Sequence, residues 1–426
     1  GVQSMKNWKL MLAPLGITIF GMTVLWLKQS SLAKTGADVL PGPLNYLPWL
    51  VLVSILALFV QQVIIKLRLD TFIFPLALTL ASIGLIEIAR LKPALFIRQL
   101  QWLGVGMLVL IIVLRFWKKI VKLMDYPYLL GTVCIIILGL PLFFGTEIGG
   151  SKNWLVFGPV SLQPSEFGKI IIVFFLAAYL SDHRRVLELP VHRFLVLRLP
   201  PLRFIAPLIC IWGMAVLMFV VEKDLGSALL FFGMAVLMTY MATGSKSYVF
   251  LAMTFMAVAA ALSYAMFGHV RVRFDIWLNP WQDPNGMAYQ IVQSLFAIGT
   301  GGIWGTGFGF GHPGFIPEVH TDFIFSAIAE EMGLTATLLI IACYVMLFWR
   351  GLKIALHKRK EKENLLAAGS SALLLLQAFI IIAGVTKFLP LTGITLPFIS
   401  YGGSSLVSCY ILLAILLALS KEQSHG

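Results

Sequence analysis

The chain has 426 residues, of which 59% are hydrophobic and 12% charged, with a formal net charge of +13. A soluble domain carries about twice that charged fraction, so the composition excludes a soluble enzyme or binding module and defines a polytopic membrane protein. The basic residues are scattered over short loops, which excludes a nucleic-acid-binding face and fits the Lys and Arg excess of cytoplasmic membrane loops.

A membrane-crossing helix needs about 20 apolar residues. Such runs predict spans at approximately 10–27, 46–65, 72–89, 99–117, 127–145, 165–181, 204–221, 225–243, 247–268, 321–349, 365–386 and 405–420, about twelve in all. The first run has no small-residue cleavage site and reads as a span, not a cleaved leader. Cys134, Cys210, Cys343 and Cys409 fall in apolar runs without metal-ligand spacing and read as small hydrophobes.

Lys and Arg set the orientation. With a cytoplasmic N-terminus, the inside loops hold Lys66 and Arg68, then Arg115, Lys118, Lys119 and Lys122, then Arg184, Arg185, Arg193, Arg198 and Arg203. Lys246 and the dense group from Arg350 to Lys362 follow on the same side. Arg90, Lys92 and Arg98 fall outside and are the exception. Four polar stretches then share the outer face, at 146–164, 222–224, 268–320 and 387–403, where they can roof a single site.

Each stretch carries candidate chemistry. In the first, Gly149-Gly150 permits a tight turn and Pro164 opens the next helix. Glu166 and Lys169, at i and i+3, are neighbours on one helix face, either as a charged pair lining a cavity or as a structural ion pair. In the second, Asp224 either caps the helix beginning at Leu225 or takes part directly in a site. The third, 268–320, is far longer than an ordinary connection and rich in aromatic residues, so it is expected to form a structured lid. It offers Arg271 and Arg273, whose guanidinium forks suit phosphate oxygens. It also offers Asp275 and Asp283, the latter a candidate acid or base, or a turn-forming Asp before Pro284. An amphipathic surface helix is expected over 286–299, with Tyr289, Gln290, Gln293 and Ser294 as its polar members. The glycines of GTGGIWGTGFGFG allow backbone to approach a ligand closely. Glu330 and Glu331 lie deeper, in the following span, where at least one must face protein or water. The fourth stretch, rich in Pro and Gly, is expected to be non-helical, and its Lys387 either adds positive charge near a phosphate or snorkels to the interface.

Five pieces, KNWLVFGPVSLQPSEFGK, DLGSALL, NPWQDPNGMAYQIVQSLFAIGTGGIWGTGFG, HTDFIFSAIAEEMG and LPLTGITLPFISYGGSS, occur in this order. Together they resemble the shape, elongation, division and sporulation (SEDS) family that contains FtsW, RodA and SpoVE, over residue 72 to the end. The resemblance implies an all-α, polytopic fold. Residues 71–426 would form its ten-helix core, with 268–320 as a large extracellular catalytic loop, and 1–70 an extension of about two further helices. It also implies a peptidoglycan glycosyltransferase of the bacterial cytoplasmic membrane, its active site outside. Such an enzyme polymerises undecaprenyl-linked lipid II beside a class B penicillin-binding protein, in elongation, division or sporulation. By the same resemblance Asp283 matches the family's essential aspartate. Glu166 and Lys169 match its charged pair, and Asp224 matches the aspartate of its third motif. Arg271, Arg273, Lys169 and Lys387 are the candidate cations for a diphosphate. Gln282 stands where the family commonly has an acid, so no catalytic charge is assigned there. No cofactor is read from the residues, and a divalent cation, Mg2+ or Mn2+, is the one candidate that the resemblance leaves. Two rival functions are a lipid II flippase, which needs a midplane polar site, and a non-catalytic scaffold for the cross-linking enzyme.

Overall fold

The computed structural model describes residues 8–32, 43–148, 151–158, 160–188, 192–194, 197–199 and 201–421. The turn expected at Gly149-Gly150 lies outside the described residues. The helices are α1 (Leu12–Leu32), α2 (Pro43–Lys66), α3 (Ile73–Leu91), α4 (Phe96–Ile120), α5 (Pro127–Phe144), α6 (Pro164–Glu188) and α7 (Leu202–Val220). They continue with α8 (Leu225–Thr243), α9 (Lys246–Met266), α10 (Gly268–Leu278), α11 (Tyr289–Gly301), α12 (Ile324–Leu356), α13 (Glu361–Val385) and α14 (Gly403–Leu419). Among the described residues, ten helices are long and apolar enough to cross a membrane, and 203–218 and 403–419 are shorter apolar helices. Each of the predicted runs therefore has its helix.

Local sequence explains the helix ends. α5 and α6 begin with Pro127 and Pro164, which lack the N–H that a first turn leaves unsatisfied. α8 begins behind Asp224 and ends at Gly244, whose φ of 66° lies in the left-handed region that glycine enters without strain.

Two compact units make up the chain. Unit 1 comprises 1–117, 288–350 and 395–426, and unit 2 comprises 118–287 and 351–394.

Unit 1 contains a break in α12 at Gly333, where φ is 72° and ψ is −169°. The break redirects four backbone bonds. Leu334 N–H donates to Gly302 O at 3.0 Å and Thr335 N–H to Ile303 O at 3.3 Å, instead of to carbonyls one turn back. Those carbonyls, on Glu330 and Glu331, accept from Thr306 N–H at 2.9 Å and Gly307 N–H at 3.0 Å. The segment after α11 is thus stitched into the broken helix, and these four backbone groups of the break find partners. A Cβ on Gly305 would stand 2.2 Å from Glu331 O, so only glycine fits there. The glycine run was expected to approach a ligand, and what it approaches here is the backbone of α12.

Unit 2 adds strands that the sequence did not announce. β1 (Thr146–Ile148), β2 (Ser151–Phe157) and β3 (Val160–Leu162) form an antiparallel sheet in that order, with Thr146 opposite Trp154 and Leu155 opposite Leu162. This sheet lies in the α5–α6 connection. A hairpin of β4 (His192–Phe194) and β5 (Leu197–Leu199) lies in the α6–α7 connection.

The 268–320 stretch, expected as one lid, consists of α10, a turn at 280–282, α11, the stitched glycine segment and a turn at 313–315. It divides between the two units after Met287. Burial corrects the polar face expected for α11: Ser294 points inward, and its hydroxyl meets that of Ser326 at 2.7 Å.

Candidate active site

One end of unit 2 collects the ends of α5, α7, α9 and α13, the starts of α6 and α8, the β1–β3 sheet, α10 and the segment 386–394. Its polar side chains form three linked groups.

The innermost is Glu166 with Lys169. Both are buried, 6% and 1% exposed, on the first turns of α6. Lys169 Nζ donates to Glu166 Oε2 and to Gln377 Oε1 of α13, the latter at 2.8 Å. The ion pair is therefore a triad, and Gln377 is its unforeseen member.

The second group surrounds Asp224, 4% exposed. Its Oδ1 accepts from Ser227 N–H at 2.9 Å, the bond of a helix N-cap. Its Oδ2 accepts from Asn153 Nδ2 at 2.6 Å, Ser227 Oγ at 2.7 Å and Gln163 Nε2 at 3.3 Å. The capping geometry is thus present, and the cap also ties α8 to β2 and to the start of α6. Two residues before it, Glu222 is buried, and its carboxyl is pushed up from the ordinary 4.5 to about 8, first by desolvation and then by the charge of Asp224. The folded chain therefore holds a proton that the unfolded chain has lost between these values. This contribution to stability is full below pH 4.5 and is lost as pH rises through about 8. Glu222→Gln is expected to flatten that decline, measured as thermal unfolding midpoints at pH 5 and pH 8 relative to wild type. Equal declines in both proteins would contradict the assignment.

The third group is cationic. Arg273 of α10 donates through Nη1 to Leu391 O and through Nη2 to Lys223 O, both at 3.1 Å, and so joins three of the four polar stretches. Lys387 Nζ donates to Leu278 O at 3.4 Å, while Trp277 Nε1 donates to Lys387 O at 3.2 Å. Arg271 lies two residues from Arg273, about 200° around the helix, and points elsewhere. It is exposed, donating to Ala265 O at 3.3 Å with its guanidinium 5.5 Å from the Tyr264 ring centre.

Asp283 follows the 280–282 turn and is exposed. Its Oδ2 accepts from Met287 N–H at 2.9 Å, and its carbonyl accepts from Gly286 N–H at 3.3 Å. The turn expected of an Asp before Pro is thus present, and it fixes the direction of the carboxylate.

Within unit 1, Glu330 and Glu331 face protein. Glu331 Oε2 accepts from Gly309 N–H at 2.9 Å and Glu330 Oε1 from His312 N–H at 2.8 Å. Arg90 reaches Glu331 at 3.1 Å and donates to Gly311 O at 3.2 Å. This pairing gives a physical reason for Arg90, the outer-face exception in the charge pattern: it answers a buried carboxylate. Glu87 of α3 is fully buried beside them, and neither of its carboxylate oxygens has a hydrogen-bond partner among the described residues. No group of three or more His, Cys, Asp or Glu side chains among the described residues could hold a metal ion.

The fold and this polar layer define a multi-pass helical membrane protein with its candidate site at the ends of the helices. The sequence model described as "Cell cycle protein", for FtsW, RodA and SpoVE, matches residues 49–425. The chain belongs to that family. It is 39% identical over 370 residues to "Peptidoglycan glycosyltransferase RodA" of Mycobacterium bovis, covering 84% of this chain and 78% of the relative. It is 33% identical over 340 residues to "Stage V sporulation protein E" of Bacillus subtilis, covering 77% and 87%. A chain of the structure described as "Structural coordination of polymerization and crosslinking by a peptidoglycan synthase complex" superposes with a TM-score of 0.66 at 25% identity, covering 84% of this chain and 99% of that one. The Thermus thermophilus rod shape determining protein RodA shares the fold, with a TM-score of 0.60 at 23% identity over 84% and 98% of the two chains.

Proposed function

We propose that Asp283 is the base with which this chain, a peptidoglycan glycosyltransferase, extends glycan strands from lipid II at the outer face of the cytoplasmic membrane. The observation that carries the reading is the exposed carboxylate of Asp283, held in direction by Met287 N–H. A sugar hydroxyl is a poor nucleophile at neutral pH, and a positioned carboxylate raises its reactivity. The GlcNAc C4 hydroxyl of one chain end attacks the anomeric carbon of the MurNAc diphosphate of the other. Its proton passes to Asp283. The bond from the anomeric carbon to the phosphate oxygen breaks, and the lipid diphosphate leaves with the electron pair. A single displacement inverts the α-linked donor to a β-1,4 linkage.

The leaving diphosphate needs fixed positive charge. Lys387 and Arg271 are the side chains proposed to supply it. Arg273, whose donors hold Lys223 O and Leu391 O, keeps the segments that carry them together. Asp224, Glu166 and Lys169 support the same layer from inside, and through it the substrate. A class B penicillin-binding protein that cross-links the strands is the proposed partner.

Purified chain with this partner is expected to convert lipid II into glycan strands on a gel. Lipid II translocation is measured separately in vesicles. Translocation without strands would favour the flippase, and neither activity, with the complex intact, would favour the scaffold.

A further inference from the structure

The family's sequence model begins at residue 49, so α1 lies ahead of everything it describes. In this chain α1 is nonetheless built into unit 1. Gly21, Leu25 and Lys28 stand at i, i+4 and i+7, one stripe of a helix. Gly21 rests on α3 so closely that a Cβ would come within 2.4 Å of Ile86 Cδ1, and Met22 and Leu25 are buried. The stripe ends at Lys28, whose Nζ stands 4.4 Å from the ring centre of Phe310. A Cβ on Gly309 would meet that Nζ at 2.9 Å and Arg90 Nε at 3.6 Å.

Lys28 thus reaches the part of the glycine segment that backbone stitching does not cover. Thr306 and Gly307 are tied to the main chain of α12. From Gly309 to His312 the segment is held by side chains: Glu331 and Glu330 accept its N–H groups, and Arg90 takes its carbonyls. Phe310, at the centre of this part, is 71% exposed. The ammonium of Lys28 over its ring is an attractive contact at this distance. The same ammonium adds a second positive charge near the Glu330–Glu331 pair.

We infer that α1 is a built-in brace for the 305–312 loop, with Lys28 as a positioning residue that holds Gly309 and Phe310 against Arg90 and the two glutamates. The brace is a property of unit 1 alone.

Hydrogen–deuterium exchange of the full chain in lipid nanodiscs tests it. Lys28→Met is expected to speed exchange of amides in 305–312 by about two- to fivefold, the range of one exposed cation–π contact. Amides of α8, in the other unit, keep their wild-type exchange. Lys28→Arg, which can also stack on the ring, is expected to restore the slower exchange. Phe310→Leu, at an exposed position that folding tolerates, is expected to loosen the same amides. Unchanged loop exchange in Lys28→Met and Phe310→Leu overturns the brace, as does acceleration spread evenly over the chain. Faster exchange that Lys28→Arg fails to restore overturns the positioning role.

Discussion

Lys169→Met is expected to destabilise the protein by about 3–5 kcal/mol, the cost of removing one partner from a buried ion pair. Glu166 would remain in the interior, 6% exposed, with its cation gone. Gln377 Oε1 would lose the donor that now stands 2.8 Å away. An ionisable group in a membrane-spanning helix is costly unless it is paired. The paired replacement Glu166→Gln with Lys169→Met removes the charge along with its partner and is expected to recover a large part of the loss, because replacing a whole buried pair is far milder than breaking it. Thermal unfolding of the purified proteins reads both effects. A single variant as stable as wild type would mean that the triad holds nothing together.

That contrast also shows what was legible in the sequence. Glu166 and Lys169 stand three apart after a helix-opening Pro164, so their pairing could be read from spacing alone. Gln377 comes from a helix more than two hundred residues away, a contact with |i−j| of 208 that no local pattern encodes. Its signal was a lone amide inside the apolar run LLLLQAFIII, costly unless it meets a partner. Glu87 in LIEIARL carried the same signal. Asn153 and Gln163 lie in polar connections where an amide is ordinary, and only the fold turns them toward Asp224.

The spans were legible because length and apolarity decide them, and each run found its helix. The break in α12 was not. A lone Gly333 in a helical pattern reads as tolerated, and its φ of 72° accompanies hydrogen bonds to a segment that local sequence does not reveal. The β1–β3 sheet escaped because strands of three to seven residues in a polar connection leave little alternation to read. The polar stretch at 268–320 drew attention by its length, but length could not show that it would be divided between two units after Met287.

Asp283→Asn is expected to lower the rate of strand formation by about 10²–10⁴-fold, the usual contribution of a positioned general base. Asn keeps the shape of the side chain and an oxygen for Met287 N–H, which is 2.9 Å away in the wild type. The residue is exposed, so folding and partner binding are expected to be unchanged. The loss is then one of proton acceptance alone, and it appears in turnover more than in the affinity for lipid II.

The most direct measurement compares wild type and Asp283→Asn, each purified with its cross-linking partner, for glycan strands formed from lipid II. Strands from wild type and a loss of at least about 10²-fold in the variant, with unfolding and complex formation unaltered, is the result this account predicts. Equal strands from both proteins would remove Asp283 from the chemistry and contradict it.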